Sequence, residues 1–294
     1  MSEFSATMPK NPNDVKVSTA EAVEQILHLS KSQVEKYINC GEAYRRRYII
    51  KQEAPTSSTL VFGIAIHTAI EQYIINMDTD DFDILEYWEH IYNEELKLHK
   101  SIVFEDSSPE EDIELGNRML RSDELYEMLS LYKPMTVTFV TEEGERQGPA
   151  IEMPIEMHIP GIDVPFIGYI DMLCDDGIPL DIKTAKRKWT AEKAQKELQP
   201  AFYINGLEQM GMPVPGNTFR HLVITKAATP TVSLIETQRS KEEVSWALNL
   251  ARIAYQGISK GVFVPNPLSW ICSPSYCEFY WSCMGMENAQ VCNE

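Results

Sequence analysis

The amino-acid sequence predicts an α/β fold, a mixed central β-sheet flanked by helices with a helical insertion. Three observations carry this. Helical periodicity fills most of residues 19–98, short apolar runs bounded by turn residues recur over 137–182, and helical periodicity returns over 191–210 and 241–257. A chain of this length can bury a substantial core.

The elements follow in order. Residues 19–51 read as helices, with Ser30 or Ser32 placed to cap the segment that carries Val34 and Tyr37. Residues 59–98 are mostly helical, broken by an acidic turn over 77–82, and 105–114 reads as an exposed loop leading into another helix. Strands are expected over 137–140, 150–159, 166–173 and 178–182, then a helix over 191–210. A strand over 219–225, a partner over 231–236 and a helix over 241–257 complete the set. Between the third and fourth strands, Asp175-Asp-Gly-Ile178 is a hairpin signal. No internal repeat or low-complexity segment is evident.

The net charge of −18 argues against a general nucleic-acid coat protein, but the charge is unevenly spread. From Asp78 to Glu127, seventeen acids face four bases, whereas Lys31 to Lys51 carries six bases and two acids around Arg45, Arg46 and Arg47. Lys186, Arg187 and Lys188 form a second basic patch. Such patches either grip phosphates or are solvated faces. No apolar run reaches membrane-spanning length and the polar start lacks a secretory pattern. The expectation is an intracellular, cytoplasmic protein (host-cell cytoplasm for a viral one) with no membrane partner.

Two apolar runs, Phe166-Ile-Gly-Tyr-Ile-Asp171-Met-Leu and Ile178-Pro-Leu-Asp-Ile-Lys183, hold the most informative residues. Strand alternation puts Asp181 and Lys183 on one face with Ile182 opposite, and the hairpin brings Asp171 beside Asp181. Close carboxylates repel unless a cation neutralises them, and hard oxygen ligands suit magnesium or manganese. The alternative is a structural Asp–Lys ion pair. His67 and Glu71, four apart, share a helix face, from which the imidazole reaches the metal or simply packs. Gln199 and Tyr203 share another face beside Pro200, either fixing Lys183 and a phosphate or serving as a cap and a half-buried ring. The reaction expected from the set is phosphodiester hydrolysis.

These residues resemble the RecB-like branch of the PD-(D/E)xK nucleases. The matching elements, in order, are Leu29-Ser-Lys-Ser32 through Tyr37, Cys40 to Tyr48, Gly63-x3-His67-x3-Glu71, Gly168-Tyr-Ile-Asp171, Asp181-Ile-Lys183-Thr184 and Gln199-x3-Tyr203. A terminal cysteine cluster closes the series. The resemblance implies a restriction-endonuclease-like core in which His67, Asp171, Asp181 and the Ile182 carbonyl hold magnesium or manganese. Lys183 would be the catalytic lysine with Asp171 and Asp181, and Gln199 and Tyr203 an auxiliary motif near DNA. Arg45, Arg46, Lys186 and Arg187 are the further DNA-binding candidates. Ile170 stands where the family has proline, and Asp181 where it often has glutamate.

Cys272, Cys277 and Cys283 lie within twelve residues among aromatics, which in an intracellular protein suggests metal ligation. Cys40 resembles the upstream cysteine of iron-sulfur nucleases, including AddB-type and CRISPR adaptation nucleases, in which one early and three late cysteines clamp a [4Fe-4S] cluster. The wider first gap here keeps structural zinc open, and the plain alternative is a set of free buried thiols. Cys174 and Cys292 read as non-ligands. The resemblance thus implies a single nuclease domain over 19–294 after a flexible arm at 1–18. Within it lie a helical part at 19–130, a catalytic core at 131–262 and a cysteine cluster at 263–294. The implied activity is a metal-dependent DNA exonuclease in recombination, repair or viral DNA processing, with recombination or replication proteins as further partners. A flap or single-strand endonuclease and a catalytically silent DNA-binding assembly subunit are the alternatives.

Overall fold

Ser30 caps the first helix, its hydroxyl accepting the Gln33 N–H, so that α1 (Lys31–Asn39) starts where the cap signal lies. The computed structural model describes residues 26–77, 79, 81–104, 107–141 and 144–285; the arm expected at 1–18 and Cys292 fall outside them. After α1 come α2 (Gly41–Tyr44) and a π-helical turn at Arg45–Ile49. A short strand β1 (Thr56–Ser57) leads into α3 (Ser58–Ile75), and α4 (Ile84–Leu98) starts at an Asp83 cap. Next is β2 (Ile102–Val103), paired parallel with β1. Helix α5 (Pro109–Leu120) begins inside the stretch expected to be a loop. There Ser108 and Glu111 close a capping box and Pro109 takes the first turn, which outweighs the charge of the segment. It is followed by α6 (Asp123–Leu131).

The hairpin β3 (Thr136–Thr141) and β4 (Gly144–Pro149) stands apart from the main sheet. That sheet comprises β5 (Ile151–Met157), β6 (Phe166–Leu173), β7 (Pro179–Ala185), β8 (Thr218–Thr225) and β9 (Val232–Gln238), adjacent in that order. Only β7 and β8 run parallel. Between them lie α7 (Ala191–Lys196) and α8 (Gln199–Gln209), two helices where one was expected over 191–210. The Pro200 ring excludes the carbonyl four residues back, and the chain turns extended at Glu197, ψ 133°. Last come α9 (Lys241–Ser259), opened by a Ser240–Glu243 capping box, and α10 (Tyr280–Cys283).

Helices cover both faces of the sheet. On one, Ile155, Phe166, Ile170 and Phe219 pack against Phe202 of α8 and Ala251 of α9; on the other, Leu180, Ile182, Leu222 and Ile224 pack under α3, α4, α5 and α6. Strand β8 is buried along its whole length, as a central strand covered on both sides must be. Helix α3, with a mean hydropathy of 1.3 over 18 residues, is long and apolar enough to cross a membrane, contrary to the expectation that no such run exists. Its apolar character has an internal cause, because Val61, Phe62, Ala65, Ile66, Ala69 and Ile70 are buried in the second core.

The expected turn between β6 and β7 closes with Gly177 at φ 78°, which suits glycine, and Arg220 of β8 grips it through Asp176 at 2.7 Å. The segment after α9 packs against α1 and α2. The Gly41 N–H donates to the Val264 carbonyl at 3.0 Å, the Tyr37 hydroxyl to Val262 at 2.7 Å, and the Asn266 amide to Asn39 at 3.1 Å.

Candidate active site

Strands β6 and β7 pair only at Met172–Leu180 and Leu173–Pro179, then part. Into the opening points Asp171, whose Oδ2 accepts the Ile182 N–H at 2.7 Å, so a carboxylate satisfies a backbone donor that the ladder abandons. Alternation sends Ile182 into the α3 side of the core and leaves Asp181 and Lys183 on the other face. Lys183 Nζ lies 2.6 Å from Asp181 Oδ1 and 3.3 Å from Gln199 Oε1, while Gln199 Nε2 donates to Asp181 Oδ1 at 2.6 Å. From α3, His67 brings Nδ1 to 3.6 Å from Asp171 Oδ2. His67, Asp171, Asp181, Ile182, Lys183 and Gln199 therefore converge.

Tyr203, one turn beyond Gln199, packs its ring over Gly168. A Cβ at Gly168 would stand 2.8 Å from Tyr203 Cε1, which gives the glycine of the Gly168-Tyr-Ile-Asp171 run a steric reason. Arg45 and Arg46 are elsewhere. Both bond Glu42, at 2.7 and 2.8 Å, and Arg46 also donates to Gln52 and Ser282. Lys186 and Arg187 are exposed just past the end of β7.

Burial and the neighbouring Asp181 charge hold the Asp171 carboxyl well above the usual carboxylate range. For Asp181, burial acts the same way, but Lys183 and His221 outweigh it and the net shift is downward. Lys183 is the mirror case, with burial opposing its charge and the two aspartates raising its pKa. His67 is pushed down to about 4, mainly by burial and then by Lys183, which favours the neutral imidazole.

Two residues near the carboxylates were not legible in the sequence. His221, wholly buried, stands in register with Asp181 on β8 and brings Nδ1 to 3.5 Å from Asp181 Oδ2. Its only sequence signal is a place within an apolar strand. Glu152 lies across from Asp171, between the pairs Ile151–Met172 and Met153–Ile170, in left-handed backbone at φ 46°. It hydrogen-bonds Glu71, whose carboxyl is pushed up to about 8 by burial and by Glu152. For a non-glycine residue that backbone is strained by about 1–3 kcal/mol. Alternation in Ile151-Glu-Met-Pro-Ile-Glu-Met reads simply as an outward-facing acid.

Where α1 and α2 meet the segment over 265–284, Cys40, Cys272, Cys277 and Cys283 all line one cavity of about 370 Å³ with apolar walls, joined there by Arg46 and Phe279. Burial raises the Cys277 and Cys283 thiols, and both also feel Cys40. Cys174 is remote from them, buried in the second core with its thiol pushed up to about 12 by burial. Among the described residues, no three His, Cys, Asp or Glu side chains stand close enough to enclose a metal as they lie. Around the carboxylates, the Ile182 N–H engages Asp171 Oδ2, and Lys183 and Gln199 engage Asp181 Oδ1.

Among solved structures, the chain is similar to a "putative exonuclease" from Eubacterium rectale, with 11% identity, a TM-score of 0.55, and 91% of this chain and 92% of that one covered. At that identity the likeness shows the fold. A further solved chain, SSO0001, matches at 13% identity over 87% of this chain and 96% of that one, with a TM-score of 0.34, and carries no argument. No curated protein sequence matches. The sequence profile of the PD-(D/E)XK nuclease superfamily matches residues 28–284, a span that includes every residue of the cluster around Asp171 and Asp181. With that match added to the five-stranded sheet and the acid-acid-lysine set, the chain belongs to the PD-(D/E)XK nuclease superfamily.

Proposed function

We propose that the protein is a metal-dependent DNA exonuclease acting in recombination, repair or viral DNA processing, with its cysteine cavity holding a [4Fe-4S] cluster as a structural clamp. The observation that carries the nuclease reading is the convergence of Asp171, Asp181 and Lys183 with His67 and Gln199. An imidazole, two carboxylates and the Ile182 carbonyl form a donor set that fits magnesium or manganese. Burial first, and then the Asp181 charge, raises the Asp171 carboxyl, and a cation would relieve the second. When bound, the ion supplies a water of lowered pKa and neutralises charge on the phosphate. Lys183, held in place by Asp181 and Gln199, would stabilise the charge developing on the phosphate. Exonuclease action rests on the family resemblance. Its test is end-labelled linear DNA beside a closed circle with magnesium, manganese or chelator; stepwise loss of the linear DNA alone supports it, and nicking of the circle assigns an endonuclease.

Four thiols lining one apolar cavity support the cluster, because thiolates suit iron-sulfur and apolar walls limit solvent access. Anaerobically purified protein should be brown with about four irons per chain. Stoichiometric zinc without colour would assign the site to zinc.

A further inference from the structure

Asp181 is buried, and two donors share one of its oxygens. Lys183 Nζ, from β7 itself, and Gln199 Nε2, from the start of α8, each lie 2.6 Å from Oδ1. A carboxylate oxygen has two lone pairs, so Oδ1 is fully engaged. The other oxygen faces β8, where His221 stands in register with Asp181 and brings Nδ1 to 3.5 Å from Oδ2. The imidazole is wholly buried, and its Nε2 has no hydrogen-bond partner among the described residues. That orphan nitrogen places the ring's proton. A proton on Nε2 would strand an N–H in the core and turn the Nδ1 lone pair against the carboxylate; a proton on Nδ1 avoids both and gives Oδ2 a donor. Packing sets the plane of the ring, with the ring centres of Trp189 and Phe219 at 5.4 and 4.9 Å.

We propose that His221 is a positioning residue for the cation site: its Nδ1–H holds the Asp181 carboxylate so that a single lone pair, on Oδ2, is left to meet the ion. Of the carboxylate's four lone pairs, Lys183 and Gln199 take the two on Oδ1 and His221 takes one on Oδ2. Asp181 is thereby a ligand through one oxygen only. Donors behind a metal ligand fix its orientation, and their loss typically weakens metal binding by about 10–100-fold. The positioning role rests on the metal reading of this site; the bond between His221 and Asp181 does not.

The test compares two variants of one shape, His221→Leu and His221→Asn, of which only the second carries an amide N–H where Nδ1 stands. Manganese titration of the full chain should show His221→Leu binding about tenfold or more weakly than wild type and His221→Asn recovering most of the loss. A purely structural role would not follow the amide. Wild-type affinity in His221→Leu, or a His221→Asn as weak as His221→Leu, would overturn the proposal. If His221→Leu fails to fold, His221→Phe, which keeps a ring against Trp189 and Phe219, takes its place. A second measurement needs no metal. In chelator, the drop in urea midpoint caused by His221→Leu should shrink in an Asp181→Ala background, because the partner is already gone. Equal drops in the two backgrounds would mean that no bond joins the pair and would also overturn the proposal. A wild type that binds no manganese refutes the metal reading itself, an outcome distinct from equal binding by wild type and His221→Leu.

Discussion

The Asp171 carboxylate accepts the Ile182 backbone N–H at 2.7 Å at the point where β6 and β7 separate. One side chain therefore does two jobs, sealing a broken ladder and supplying an oxygen to the cluster. The jobs separate by substitution. Asp171→Asn keeps an acceptor for Ile182 and should melt close to wild type, with turnover down on the order of 100-fold or more. Asp171→Ala orphans the N–H and should lose a further ~1–3 kcal/mol in urea denaturation. Equal stability of the two variants would refute the sealing role.

Lys183→Ala should abolish cleavage. It also leaves the buried Asp181 with Gln199 and His221 but no cation. The variant should thus melt lower than wild type in chelator and regain stability with magnesium. Measurable turnover would remove Lys183 from the chemistry.

Glu71 titrates near 4.5 in an unfolded chain and at about 8 in the folded one. The folded state holds this proton more tightly, so its contribution is fully present below about pH 4.5 and is lost as pH rises through about 8. Thermal denaturation in chelator should show stability falling across that window, and Glu71→Gln should flatten the fall. An unchanged pH profile in the variant would exclude Glu71 as its source.

Gly168→Ala places a methyl 2.8 Å from the Tyr203 ring. Denaturation should show a loss of about 1–3 kcal/mol, the usual range for overpacking, and Tyr203→Leu in the same chain should recover part of it. A neutral Gly168→Ala would mean the ring yields freely.

The distribution of legible features has a physical basis. Strands β6 and β7 were readable because their runs are apolar and Asp176-Gly177 marks the turn, and α1 because Ser30 caps it. Strand β4, Gly-Glu-Arg-Gln-Gly-Pro, was not, since its side chains are almost all exposed and no alternation records its pairing. The break at Glu197 was signalled by Pro200 but masked by helical residues on both sides. Asp171, Asp181 and Lys183 stood out because charge in an apolar strand is costly. Glu152 and His221 did not, the first because its left-handed backbone has no sequence signature, the second because a strand buried on both faces gives no sign of which neighbour it meets.

The central claim is that His67, Asp171 and Asp181 hold a divalent cation together. Manganese titration of the whole chain, followed by electron paramagnetic resonance, tests it most directly. The account expects wild type to bind at least one ion that Asp181→Asn and His67→Ala each weaken by tenfold or more, with both variants folded. Identical binding by all three proteins, or none by wild type, would contradict it.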